Sequence, residues 1–293
     1  MKGIFKHFIG IVTVIYISSV LSFGVLILVV ISIPRMLPVN AVKKYITAIS
    51  NEIGNAIVWF LKITVGLIHR PKWQIDYPAN ISTKNWYIGM SNHMSWADIF
   101  VLLFIGNYKL PLLKFFMKKE LKWIPIIYLV HKTIDMPFLN RHKPGEAQND
   151  PDLKARNFEN ARDAAKKFTR YPTTAFSFVE GTRFTETKKE IQLSPYDDLL
   201  KPKIGALVTA FSGMPMVEEL IDFTIIYKTP KRSAWDFACG EMREAKIIIR
   251  SYKIPKFIKE SDDMDSVKYK NQFRLFINDI WLEKQKLIKE QKY

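Results

Sequence analysis

The sequence contains one cysteine, Cys239, in 293 residues. A lone cysteine excludes an intramolecular disulfide framework and a cysteine-rich metal site, and it fits a reducing compartment. Glycine (12) and proline (15) are too sparse for a fibrous or low-complexity chain. There is no internal repeat, no zinc-finger spacing and no RNA-recognition signature. What is present is apolar: 48% hydrophobic and 13% aromatic residues exclude a disordered chain, which could not bury enough surface to offset its ordering entropy. The formal net charge of +16 predicts attraction to something anionic: nucleic acid, a membrane surface or a phosphorylated substrate.

Acidic and basic side chains are missing altogether from Phe8 to Pro34, a run of 27 residues. A spanning helix needs about 20 apolar residues, and a signal-peptide core only about 7–15. The run therefore reads as an uncleaved membrane anchor, either one tilted helix or a hairpin bent near Ser18, Ser19, Ser22 and Gly24. Basic residues flank both ends, so the positive-inside rule does not orient it, and two basic flanks suit a hairpin with both ends cytoplasmic. Residues 41–70 repeat apolar side chains at helical spacing. They form an amphipathic helix that lies on the bilayer or packs on a soluble domain. The expected organisation is an anchor over residues 1–70 and a second domain over 71–293.

Beyond Pro71 short apolar runs alternate with helical stretches. Strands are expected at Trp73–Tyr77, Trp86–Met90, Leu112–Met117, Ile134–Leu139, Ala175–Phe178, Ile221–Tyr227 and Ala245–Ser251. Helices are expected at Ala97–Leu103, Asp152–Thr169, Lys203–Phe211 and Ser266–Lys289. This alternation predicts an α/β domain with a mixed β-sheet flanked by helices. Residues 143–152 read as a surface loop.

Three clusters carry chemistry. The first is Asn92-His93-Met94-Ser95-Trp96-Ala97-Asp98, after an apolar strand and before an apolar helix. In a continuous helix His93 and Asp98 would stand roughly 140° apart. With His93 on the turn and Asp98 in the first helical turn they can meet. The imidazole would then be oriented by the carboxylate and its other nitrogen left free as a base. Taken alone, the same residues also describe a surface histidine and a helix-start aspartate. The second cluster is Glu180-Gly181-Thr182-Arg183. Gly181 permits a tight turn, Thr182 offers a hydroxyl, and Arg183 a planar donor fork for phosphate. Glu180 would orient Arg183 or accept from a substrate hydroxyl; taken alone, the cluster reads as an ordinary turn with an ion pair. The third is Lys201-Pro202-Lys203 before a helix, a natural anion site or a solvated helix start.

Together and in this order, these clusters resemble the PlsC-like 1-acylglycerol-3-phosphate acyltransferases, the glycerolipid acyltransferase family, over about residues 70–230. His93 and Asp98 match the NHxxxxD block, and Glu180, Gly181, Thr182 and Arg183 match EGTR. Arg141 in MPFLNR matches the second block, linked to acceptor binding, and Pro202, Lys203 and Gly205 match a further conserved region. Val179 departs from the family, in which proline usually precedes EGT. With LIDFTIIY at 220–227, this is most similar to the YihG-like bacterial subgroup. The resemblance implies direct acyl transfer from acyl-CoA or acyl carrier protein to the free hydroxyl of a lysophospholipid, first of all 1-acyl-sn-glycerol-3-phosphate, giving phosphatidic acid. His93 and Asp98 would be catalytic. Glu180, Gly181, Thr182, Arg183, Arg141 and Lys203 would bind substrate. No metal or cofactor is implied. The expected location is the bacterial inner membrane, with the site facing the cytoplasm. No GxSxG elbow is present, so an acyl-enzyme is not favoured.

Two alternatives stay open on the residues. One is another acceptor of the lysophosphatidylglycerol or lysocardiolipin type. The other is a non-catalytic protein that binds anionic lipid or nucleic acid; nucleic acid is not expected as a partner. The charge favours lipid. Residues 1–70 hold seven Lys/Arg and one acid, and residues 109–143 hold eight and two. Those two regions therefore carry most of the excess positive charge.

Overall fold

The computed structural model describes residues 2–118, 122–136, 138–139, 151–259, 261, 263–264 and 266–292. A six-stranded mixed sheet is built from β1 (Lys72–Asp76), β2 (Tyr87–Ser91), β3 (Leu113–Phe115), β6 (Thr174–Phe178), β7 (Glu219–Tyr227) and β8 (Glu244–Lys253), in the order β1-β8-β7-β2-β6-β3. Only β7 and β8 run antiparallel; every other neighbouring pair in this sheet is parallel. A separate parallel pair joins β4 (Met117–Lys118) to β5 (Phe138–Leu139).

The strand sequences explain this order. All five residues of β2 (YIGMS) are buried, as a central parallel strand covered on both faces requires. β1, at the edge, is exposed at most positions. One face of the sheet is covered by α5 (Pro151–Lys166), α7 (Gly205–Gly213) and α10 (Val267–Gln291), which supply Ala165, Leu207, Phe211, Phe273 and Trp281 to a common core. The other face is covered by α3 (Asp98–Gly106) and α2 (Asn40–His69), through Val101, Leu102, Val58 and Leu61. Short helices α4 (Pro125–Thr133), α6 (Glu186–Ile191), α8 (Ala234–Ala238) and α9 (Lys256–Lys259) complete the chain.

The apolar N-terminal run is a single helix, α1 (Lys2–Ser32), followed by a 3-10 turn over Ile33–Met36. Of the two expected forms it is the single helix, without a bend near Gly24. Instead a Cβ at Gly24 would collide with Ile57, so the glycine lets α2 approach α1 closely. The hairpin is formed between α1 and α2. Both helices are long and apolar enough to cross a membrane. α2 ends where Arg70 turns left-handed (φ 49°) ahead of Pro71.

Both ends of α1 are tied to the α/β domain. Near its start, Lys6 pairs with Glu241 at 2.9 Å and Trp235 donates to His7 at 3.1 Å. Beyond its end, Arg35 pairs with Asp135. At about 1.5 Å per residue this helix is on the order of 46 Å long.

Two expected elements differ. Ile134–Leu139 is a strand only at Phe138–Leu139, because Asp135 adopts a left-handed backbone (φ 60°) that a strand cannot contain. Leu112–Met117 divides at Phe116 into β3 and the start of β4. Most of the expected 143–152 loop lies outside the described residues, and its last two positions begin α5.

Candidate active site

The site forms at the carboxyl end of β2, between β6 and β7, where parallel strands open a crevice. Asn92 terminates β2 by imitating a peptide group. Its side chain donates to the Ile225 carbonyl and accepts from the Ile225 N–H, both at 2.9 Å. The strand is thereby fastened to β7 and the next residue, His93, is carried onto the turn.

His93 is fixed on every side. Its ring stacks on Phe178, with centroids 3.9 Å apart and planes 16° from parallel. Its N–H donates to Glu180 at 3.1 Å, and its carbonyl accepts from the Phe184 N–H at 2.7 Å. Nδ1 lies 2.8 Å from Oδ2 of Asp98.

Asp98 opens α3 and has no exposed surface. Oδ2 also accepts the N–H groups of Met94 (2.6 Å) and Ser95 (2.9 Å), while Oδ1 accepts the hydroxyl of Tyr227 at 2.7 Å. Two backbone N–H groups, the Tyr227 hydroxyl and the positive end of the helix dipole all face this carboxyl group. A carboxyl oxygen accepting at Nδ1 selects the tautomer that carries its proton there and leaves Nε2 with a free lone pair. Burial pushes the Tyr227 hydroxyl well above the ordinary tyrosine range, and the Asp98 charge adds to this, so Tyr227 remains a donor. The Ser95 hydroxyl braces the turn, accepting from Ala97 at 3.1 Å and donating to the Arg232 carbonyl at 2.6 Å.

After β6 the chain turns at Gly181, whose φ of 70° is open to glycine without strain. This swings Arg183 over the exposed Trp96 ring, 4.9 Å from its centroid. Lys188 in α6 donates to the Thr182 hydroxyl at 2.8 Å and to the Arg183 carbonyl at 3.0 Å. The Lys203 N–H donates to Val179 at 2.7 Å, which brings an exposed lysine to the same loop. Arg183, Lys188 and Lys203 are thus gathered around the loop that follows β6.

Glu180 is placed differently from its expected role toward Arg183 or a substrate hydroxyl. It is fully buried, and its two oxygens accept from the N–H groups of His93 and Leu200 (3.0 Å). Burial raises its carboxyl to about 8, against the pull of those donors and of nearby Lys284. Its place is beneath His93, holding the two loops together. Arg141 lies outside the described residues. Tyr227, Trp96, Phe178 and Lys188 carry no motif signal. Only the position of Tyr227 at the end of the expected strand 221–227 hinted that its hydroxyl could reach the crevice.

A mixed α/β fold of this class is also that of a solved acyltransferase. The chain matches the crystal structure of the 1-acyl-sn-glycerophosphate (LPA) acyltransferase PlsC from Thermotoga maritima with a TM-score of 0.56 and 16% identity, covering 100% of both chains. No curated protein matches it in sequence. Residues 72–226, more than half of the chain, match the Acyltransferase family model, and the chain belongs to that family.

Proposed function

We propose that this acyltransferase moves a fatty acyl group from an acyl thioester to the free hydroxyl of a lysophospholipid, with 1-acyl-sn-glycerol-3-phosphate as the first acceptor. The observation that carries the reading is the buried Asp98, whose bond to His93 Nδ1 leaves Nε2 able to accept a proton. His93 takes the proton of the acceptor hydroxyl, and the resulting oxygen attacks the thioester carbonyl. The tetrahedral intermediate then expels the thiolate, which recovers the proton from His93. Holding both reactants beside the imidazole removes much of the entropic barrier. Arg183, braced by Lys188 and Trp96, is assigned to the acceptor phosphate, with Thr182 and Lys203 beside it and Gly181 forming the turn. Arg141 is assigned to the same acceptor on its motif. The donor is acyl-CoA or acyl carrier protein.

The hairpin supports membrane attachment. Its outer side exposes Phe5, Phe8, Ile15, Phe23, Leu26, Trp59, Phe60 and Leu67. An apolar surface of that extent marks a contact with lipid or protein. Because both ends of α1 are tied to one domain, the hairpin is proposed to sit in the near leaflet beside the site, on the cytoplasmic face of the bacterial inner membrane.

Val179 in place of proline supports a second reading, a YihG-like enzyme acting on a lysophosphatidylglycerol- or lysocardiolipin-type acceptor. One assay separates them: purified protein with a lysolipid panel and both donor types, products read by mass spectrometry. Phosphatidic acid as the main product supports the first acceptor. Absence of acylated product with every acceptor would remove the enzymatic reading. His93→Ala is expected to lower the rate by about 10²–10⁴-fold while leaving membrane attachment intact.

A further inference from the structure

A second cationic site lies at the seam between the hairpin and the α/β domain. It is a cavity of about 680 Å³ where the end of α1 and the start of α2 meet α4 and the end of α5. Volumes of this order hold a ligand headgroup. Arg35, Lys43, Lys132, Lys167 and Arg170 line it, against one acid, Asp135. None of these residues belongs to the His93 site. β3 separates the two: Phe115 stacks toward Phe178, whereas the next residue back, Lys114, points to the opposite face.

The single acid is already engaged. Asp135 pairs with Arg35, lies 3.9 Å from Arg170, and accepts from Thr47 at 3.5 Å. It is held in the left-handed region (φ 60°), a conformation that persists only where the surroundings impose it. Beneath it, Lys114 is fully buried, 5.7 Å from the Phe168 ring, and its ammonium has no hydrogen-bond partner among the described residues. Burial lowers Lys114 to about 8; Asp135 opposes that, and Arg35 and Arg170 reinforce it. One carboxylate therefore faces more cations than it can neutralise. Lys43, Lys132 and Lys167 form no ion pair among the described residues.

The apolar part of the cavity selects the kind of anion. Val29, Ile33, Met36 and Leu129 share the lining. Ile33 and Met36 are 58% and 86% exposed, and the adjoining Leu37 and Val39 are exposed as well. A soluble anion would use the cations and leave this lip in water, whereas an amphiphile satisfies both, since burying apolar surface is favourable by about 25 cal/mol per Å². We propose that this cavity is a binding site for the phosphate headgroup of an anionic membrane phospholipid, separate from the catalytic site, with the acyl chains lying along the end of α1. The proposal rests on the hairpin lying at the bilayer, not on the acyl-transfer reading.

The test is native mass spectrometry of the full chain in detergent, with dioleoyl phosphatidylglycerol or dioleoyl phosphatidylcholine added. The expected result is one retained phosphatidylglycerol per chain and little phosphatidylcholine. Lys132 and Lys167 are exposed, so Lys132→Gln/Lys167→Gln should fold, and it should bind phosphatidylglycerol about tenfold more weakly or worse. Lys256→Gln/Lys268→Gln removes the same charge from α9 and α10 and should bind as the parent does. Equal loss in both double variants would overturn the proposal in favour of diffuse charge. Equal retention of both lipids would overturn it too. Inorganic phosphate that displaces the lipid at equal concentration would assign the cavity to free phosphate instead. An acidic acyl carrier protein whose binding is lost in the first double variant, with lipid retention unchanged, would assign it to that partner.

Discussion

A buried carboxylate is costly unless its lone pairs are filled. Asp98 fills them with two backbone N–H groups, one phenol and one imidazole. Tyr227→Phe removes the donor to Oδ1. Leaving that acceptor unpaired should cost about 1–3 kcal/mol in a denaturant titration, and kcat should fall about tenfold with KM little changed. A drop in KM affinity alone would place Tyr227 outside the chemistry. Glu180 allows a second prediction. Its carboxyl is raised from an ordinary 4.5 to about 8, so between those values the folded protein holds a proton that the unfolded chain has released. This contribution to stability therefore declines as pH rises through that window. Glu180→Gln cannot titrate, so its unfolding midpoint should depend less on pH between 5 and 8 than the parent's. At this scale the sequence was informative where side chains are neighbours along the chain. His93 and Asp98 lie five residues apart, and their meeting follows from a strand–turn–helix reading. Tyr227 comes from 129 residues away, and within an apolar strand its hydroxyl looks like core. Glu180 lies in the turn two residues beyond β6, where a side chain can point inward or outward, and only the Leu200 and His93 N–H groups facing it decide.

At the scale of elements, the tie between β7 and α10 is a buried ion pair. Lys284 lies 2.8 Å from Asp222, donates to the Phe223 carbonyl at 2.8 Å, and sits over the Trp281 ring. Burial pushes the Lys284 ammonium down and the Asp222 carboxyl up, and each opposes the other's shift. Lys284→Met strands Asp222 and should cost about 3–5 kcal/mol, whereas Asp222→Leu/Lys284→Met should recover most of it. Equal losses in the single and double variants, read by urea unfolding, would deny the pairing. Because Lys284 also lies near Glu180, the single variant should disturb the floor of the site as well. The β-strands were legible from apolar runs, since a parallel sheet buried on both faces has little polar interruption. The nine-residue helix α4 has little sequence signal beyond Pro125 at its start, a common first helical position. A lysine-rich α10 looks solvated in sequence, and nothing local reveals that one of its lysines is fully buried.

Across the whole molecule, charge and apolar surface act together. If the hairpin holds the protein at the bilayer, the apolar contact should survive salt. At 1 M salt the screening length is about 3 Å, so attraction between the +16 protein and anionic lipid should be largely removed. The full chain is expected to stay with sedimented vesicles of phosphatidylcholine and phosphatidylglycerol under those conditions and to leave them only in detergent. Release by salt alone would make the charge, not α1, the anchor. The apolar run was plain in sequence, but its continuity as one helix was not. Gly24 looked like a hinge, and it serves as a socket for Ile57 in a helix more than thirty residues further on.

The ties at the two ends of α1 also set an order of events during synthesis. Lys6 waits for Glu241, 235 residues later, and Arg35 waits for Asp135, 100 residues later. At about 5–20 residues per second the N-terminal tie stays open for roughly ten to fifty seconds after Lys6 is made. Throughout that interval the long apolar helix α1 has only α2 to pack against, and its remaining apolar surface has no α/β domain to cover it. If the hairpin is the anchor, a ribosome delivering this chain to the bilayer early would let the α/β domain assemble around it.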